Sequence, residues 1–548
     1  MTIFSRSLIL GCSTLALAAC GPEDIASPGG GNVVINLPPT VTPTPTPTSG
    51  TPTIPAGACP SLTNDGSVAL TANPVNLGDG RGGSYLRCNL PALITKTVTL
   101  PRIPGLLYVM NGRVDVGCDG GFSAPTAGAP FTSTTIGCAA PLTADTNVTL
   151  NIEPGVVLIG GTGQSWLAVN RGNKINAVGT AARPIIFTSE QNAAGINTDT
   201  TPGGQWGGVV LMGRAKITDC ALGTVAGGDC QRRTEGAAND ALYGGNDDTY
   251  NAGSLRYAQI RYSGFVLSNN LELQALTTEG VGTGTTIDHI QSHRSSDDGA
   301  EFFGGTFNMS HFIVTAADDD SLDVDTGARV NIQHALLLQN TGEGDALFEI
   351  DSNGKESDLP RTKLQISNFT AVQTAVSSNN ETNDRASALF RGNSDTTLYN
   401  GVIISPANEC IRMTSNTSVA NRATLTARSV VMQCAATKYI GDGTGVSGTD
   451  AGDGEFLTAD VAGFFGTGTN NNSDAFTGTL SGGFLNGTAE NGVSTTSPVT
   501  LSSFFVTTPT PFRVGAAWAE NNSWYSGWTC SSSVANFGTG SCTTLPST

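Results

Sequence analysis

Charged residues make up only 13% of this sequence and aromatic residues 6%, and histidine occurs four times in 548 residues. Each scarcity excludes something. The few charges are unbalanced, with 27 basic against 45 acidic residues and a formal net charge of −18. That surplus repels nucleic acid and anionic polysaccharide as direct partners unless a cation bridges them. Sparse aromatics leave no stripe of rings for stacking sugars, apart from a C-terminal cluster of Trp518, Trp524, Tyr525 and Trp528. The bland reading of that cluster is a cap over the last turn of a repetitive fold. No uninterrupted apolar run of about 20 residues is present, which argues against a transmembrane helix. No CxxC spacing and no EF-hand loop occurs, so zinc-finger, thioredoxin-like and EF-hand chemistry are poorly supported.

What is abundant is glycine, 69 residues of it, together with an internal repeat. Thr285 to Asp351 contains three copies of one unit. His289, His311 and His334 recur at steps of 22 and 23. Inside each copy the apolar runs are short and β-rich, such as Phe312-Ile313-Val314 and Leu336-Leu337-Leu338, and Gly, Asp and Ser interrupt them. Short strands and turns at this period predict an all-β fold, a right-handed parallel β-helix in which each rung buries its apolar face against its neighbours. Rungs stack at about 4.8 Å. Equivalent residues therefore form columns along the solenoid.

Two columns follow. The first is acidic: Asp297 over Asp319, Asp298 over Asp320 over Glu343, and Glu301 over Asp323. Like charges one rung apart cost about 3 to 4 kcal/mol per pair at an effective dielectric of about 20. Clustered oxygen ligands suit Ca²⁺, which takes about six to eight of them. The expected ligand set is Asp297, Asp298, Glu301, Asp319, Asp320, Asp323 and Glu343. The alternatives are a splayed, solvated acidic turn face, screened by salt, or a catalytic set. In a hydrolytic reading Asp298, Asp319 and Asp320 supply the carboxylates, with His334 one rung on; in a lyase reading the acids hold calcium and Arg294, Arg329 or, less suitably, Arg261 accepts the proton. The second column is the histidines. They share strand parity with Ile287, Met309 and Ile332, which predicts a packed, neutral ladder rather than a zinc site. His293 has no partner in the next copy and reads as a surface residue.

The flanks read differently. Residues 1–19, with Arg6 before the apolar stretch Leu8 to Ala18, form a signal peptide. Leu17-Ala18-Ala19-Cys20 resembles the bacterial lipoprotein cleavage box, which implies that Cys20 carries lipid. Gly21 after it implies the outer membrane. Residues 20–58 form a Pro/Thr-rich tether, extended at about 3.1 Å per residue. Residues 59–145 form a disulfide-containing region, 146–439 the β-helix with its start near Asn147, and 440–548 a loop-rich insertion followed by the aromatic cap. Cys12 falls in the signal peptide and Cys20 at the lipid site. The ten remaining cysteines fall into neighbouring couples: Cys59 with Cys88, Cys118 with Cys138, Cys220 with Cys230, Cys410 with Cys434, and Cys530 with Cys542. An even count in an exported chain favours disulfides, and proximity suggests this pairing.

PGVVLIGG, GTAARPIIFTS, QWGGVVLMGRA, LRYAQIRYSG, DDGAEFFGGT, ADDDSLDVDTG and VGAAWAENNSWYSGWT together resemble a widespread family of β-helical bacterial surface lipoproteins, over Asn147 to Thr529. The Pro/Thr tether, the extra cysteines and the histidines, where that family often has Tyr, are departures. The resemblance implies a fold and an exported location, not an activity. The expected function is a calcium-stabilised, surface-anchored binding or surface-organising module, with a cell-surface glycan or an outer-membrane receptor as the expected partner. A carbohydrate-active lyase or hydrolase and an accessory lipoprotein of a nutrient-uptake receptor are the alternatives. The GHG and RIK motifs of polygalacturonases are absent, and the tripeptide NTD occurs only at Asn197-Thr198-Asp199, outside the three-copy repeat. Cys20→Ser is expected to move the protein out of the membrane fraction on cell fractionation; unchanged retention contradicts the lipid anchor.

Overall fold

The computed structural model describes residues 51–546, except 139–140, 238, 269–270, 377–385, 415–418, 442–455 and 469. The signal peptide, Cys20 and most of the tether lie outside the described residues. In the repeat region the chain alternates long and short strands: β1 (Gly253–Arg261), β2 (Leu276–Glu279), β3 (Thr286–His293), β4 (Ala300–Phe303), β5 (Thr306–Thr315), β6 (Asp323–Asp325), β7 (Arg329–Leu338), β8 (Phe348–Ile350), β9 (Thr362–Val372) and, after one further short strand, β10 (Ser394–Ser405). The long strands pair in parallel, each with the next. The short ones do the same on a second sheet. Long strand, turn, short strand, turn makes one rung of a parallel β-helix.

Every long strand is folded around a corner. Tyr257, His289, His311, His334, Asn368 and Asn400 each have φ between 49° and 64°. Pairing breaks there: Asp288 faces Ser310, and the ladder resumes at Ile290 opposite Phe312. One left-handed residue resets the alternation of sides. Ile287, Met309 and Ile332 point into the core before the corner, and Ile290, Phe312 and Ala335 do so after it. The histidines at the corner lie outside that core, so the parity they were expected to share with Ile287 does not hold.

The core interdigitates along the axis. Phe312, Ala335, Phe369 and Gly401 occupy one register column. Large and small residues alternate. A Cβ on Gly401 would lie 2.0 Å from the Phe369 ring, so glycine is needed for space at this position.

The ends depart from expectation. Parallel pairing already begins at Leu86 opposite Leu106, well before Asn147, and Cys59–Cys88 ties the preceding segment to that strand. The short strands there carry too little period to be read as rungs. The last rung is closed by α1 (Thr458–Phe465), whose Val461 and Phe465 are fully buried in the main core. This helix comes from the segment expected to be loop-rich. The C-terminal aromatic cluster is not an end cap. It belongs to a strap that runs back along the flank towards the first rungs. Thr496 N donates to Asn400 Oδ1 at 2.8 Å, Asn368 Nδ2 to the Arg513 carbonyl at 2.8 Å, Cys530 N to Gln291 Oε1 at 2.7 Å, and Asn192 Nδ2 to the Cys542 carbonyl at 2.8 Å. Arg81 reaches the Leu545 carbonyl. All five expected disulfides are present.

Gly401→Ala is expected to cost about 1–3 kcal/mol by overpacking. Adding Phe369→Leu should recover part of that loss in denaturant melts. Additive losses would contradict the column packing.

Candidate metal centre

The acids sit where each rung turns from a long strand into a short one. Asp297-Asp298-Gly299 and Asp319-Asp320-Ser321 are successive turns, and the strands that follow carry Glu301 and Asp323. The turns stack closely. Gly299 N donates to the Asp320 carbonyl at 2.8 Å, and a Cβ on Gly299 would meet the Val314 methyl at 2.4 Å. Carboxylates cap the backbone one rung on: Asp298 Oδ1 accepts from Asp320 N at 2.9 Å, and Asp320 Oδ1 from Ala346 N at 2.6 Å.

On the short sheet, Ala300 and Phe302 point into the core, so Glu301 and Phe303 point outward. Register places Glu301, Asp323 and Glu349 in one outward column and carries Phe303 onto Asp325 beside it. A roof covers this outer face. It consists of the disulfide-bonded excursion after Thr218 and the hairpin Val266–Ser268 with Leu271–Glu272. Tyr243 of the roof packs on Phe303 at 6.2 Å. Gln274 Nε2 bridges Asp297 Oδ2 at 3.2 Å and the roof's Glu235 at 3.5 Å.

Burial is nearly complete: Glu301 is 1% exposed, Asp320 2% and Asp323, the most open of the seven acids at the centre, 7%. The solvated-face reading fails on this point. Ligand atoms gather in three overlapping triads, Asp297–Asp298–Asp319, Asp298–Glu301–Asp323 and Asp319–Asp320–Asp345, each within 4.8 Å. Both carboxylate oxygens of Glu301, and one each of Asp319 and Asp323, are buried without a hydrogen-bond partner. Nearby cations are few. Arg391 holds Glu349 at 2.8 Å, and Arg232 is taken by Asp219.

Burial, reinforced by neighbouring carboxylates, drives Asp298, Glu301, Asp319, Asp320 and Asp323 far above the usual carboxylate range. Burial lifts Asp297 to about 7, and burial with the charge of Asp297 lifts Glu235 to about 8 and Glu272 to about 9. Such a site has two stable states. It is protonated, or it holds cations with hard oxygen preference.

Glu343 does not belong to it. Its carboxylate is 38% exposed and bonds Arg294 at 3.3 Å and Asn340 at 2.8 Å. The third turn is longer: His334 precedes Asp345 by eleven residues, whereas His289 precedes Asp297 by eight. Asp345 therefore extends the Asp297–Asp319 column, and Ala346 stands over Asp320 in the place assigned to Glu343. Glu349 was also missed, although aligning Leu322-Asp323-Val324-Asp325 with Phe348-Glu349-Ile350-Asp351 reveals it.

The basic residues of the catalytic alternative are engaged elsewhere: Arg294 with Glu343, Arg329 with Asp248 at 2.9 Å, and Arg261 with the strap carbonyls of Cys542 and Thr544. His293 is buried, not exposed. Its Nδ1 lies 2.8 Å from Thr315 Oγ1, and burial depresses its basicity. The other three histidines stack face to face at 4.2 and 5.1 Å, beneath Tyr257 at 4.1 Å. Among the described residues no metal-binding triad includes them.

Fold and site define a disulfide-bonded parallel β-helix with a roofed acidic column. The family model described as a pectate-lyase like beta helix domain matches residues 132–480, more than half of the chain, and the chain belongs to that family. No curated protein and no solved structure matches it.

The raised acids set a pH dependence. Between the ordinary carboxylate range and about 7, the folded chain binds more protons than the unfolded one, so stability falls as pH rises through that window. In chelator, the melting temperature is expected to decline from about pH 5 to about pH 8. A rise across the same interval contradicts the buried column.

Proposed function

We propose that this chain is a lipid-anchored, outer-membrane binding or surface-organising module whose central rungs are held together by Ca²⁺. The observation that carries the calcium reading is Glu301, 1% exposed, with neither carboxylate oxygen hydrogen-bonded and with Asp298 and Asp323 ligand atoms within 4.8 Å. A divalent cation offsets the like-charge repulsion and supplies the missing partners. Zinc fits less well, because these donors are all oxygen. The ten paired cysteines suit an exported chain. Anchoring through Cys20 rests on the cleavage box alone.

A second reading, a carbohydrate-active enzyme, is favoured by the family's description. Against it stands access: the acids lie under the roof, where a polymer chain does not reach them. Unsaturated ends released from uronic-acid polymers would support that reading.

Chelation is expected to lower the melting temperature, and calcium to restore it. The gain is about 2.7 kcal/mol at a hundred times the dissociation constant. Asp319→Asn with Asp320→Asn should abolish the response. If calorimetry shows no calcium binding and melting is indifferent to chelator, the column is held by protons and the calcium reading is wrong.

A further inference from the structure

The buried acids form a grid, not a single file. One rung contributes Asp297, Asp298 and Glu301, the next Asp319, Asp320 and Asp323, and the third Asp345 and Glu349. The outward column ends on uncharged residues at both sides, Thr277 before Glu301 and Leu389 after Glu349. The third turn is the longer one, yet Asp345 is held in register. Its N donates to the Asp319 carbonyl at 3.0 Å. Gln339 Nε2 donates to the carbonyls of Asp319 at 3.1 Å and Ala346 at 2.9 Å, and Gln373 Nε2 donates to the Asp345 carbonyl at 2.5 Å. Both glutamines are buried, at 6% and 2% exposed. Asp345, itself 3% exposed, is therefore placed by a built scaffold of amides and not by a loose loop.

The three triads are chained. Asp298 belongs to the first and second, Asp319 to the first and third, and no carboxylate belongs to all three. Within each triad the ligand oxygens lie within 4.8 Å of one another, about twice a Ca²⁺–oxygen bond of about 2.4 Å. An ion of that size fits between such oxygens without a water-sized cavity. The Glu301 triad shares no member with the Asp345 triad, so one ion does not serve both. Asp319, at the junction of two triads, keeps Oδ1 buried without a hydrogen-bond partner.

Charge decides the number. Arg391 balances Glu349 at 2.8 Å. The other seven acids carry seven negative charges when ionised. One divalent cation leaves five of these, two leave three, and three leave one. We propose that the column holds a row of three divalent cations, the third centred on Asp319, Asp320 and Asp345, with Asp298 and Asp319 bridging neighbouring ions. This rests on the calcium reading above and adds a centre and a count to it.

The test strips the full chain with chelator, returns calcium, and counts the ions retained by the folded protein by intact-mass spectrometry. Melting in calcium checks that each variant is folded. The native chain should retain three ions. The informative variants lie at the ends of the row, because loss of a bridging acid disturbs its neighbours as well. Asp345→Asn and Glu301→Gln should each lower the count by one, and the pair together by two. Glu343→Gln, outside the row, should leave it unchanged. A native chain that retains only one or two ions overturns the proposal, whether or not any variant folds. So does an undiminished count in Asp345→Asn. Failure of the calcium reading itself is distinct: the native chain then retains no ion at all.

Discussion

Everything on the roofed side of this molecule follows from buried carboxylates stacked one rung apart. A β-helix brings equivalent residues to about 4.8 Å whether or not they suit each other. For Ile or Phe this is favourable, and the core uses it. For Asp298, Glu301, Asp319, Asp320 and Asp323 it sets charges together that are nearly all buried. At about 3 to 4 kcal/mol per pair, a few such contacts rival the net stability of an ordinary domain. The roof makes matters worse, because Glu235 and Glu272 add their own charge and exclude solvent. A polypeptide arranged this way folds only if protons or cations neutralise the column. That requirement links the turn sequence, the disulfide-bonded excursion and the proposed calcium.

The opposite flank solves a different problem. The left-handed corner residues turn their side chains out of the core. An outward ladder of Tyr257, His289, His311 and His334 is a large ring surface that water covers poorly. The C-terminal strap covers it with Trp518, Trp524 and Trp528 and hydrogen-bonds to Gln259, Gln291, Gln333, Asn368 and Asn400 along the way. The strap thus stitches many rungs together, whereas each rung alone contacts only its neighbours. A gap beside it is lined by His311 and His334.

How far the sequence was legible can be argued from the same residues. The period of His289, His311 and His334 disclosed the solenoid, because identical rungs leave identical spacings. Proximity disclosed the disulfides, since each couple spans 29 residues or fewer. Glu343 misled because the third turn is longer, and a fixed offset does not survive an insertion. The histidine parity misled because one left-handed residue inverts the alternation, and His has no sequence mark for that conformation. His293 was misjudged because its partner, Thr315, lies in the next rung and is not a histidine. The strap was invisible because its contacts join residues 239 and 350 positions apart, and only the folded solenoid brings those together.

The central claim is that the buried acids are neutralised by divalent cations and not by protons. Anomalous scattering from crystals grown near neutral pH with calcium tests it most directly. The account predicts peaks coordinated by Asp298, Glu301 and Asp323, and by Asp297 and Asp319. A map with no peak there, and with short oxygen–oxygen contacts between the carboxyl groups, would mean that protons alone hold the column and would contradict the account.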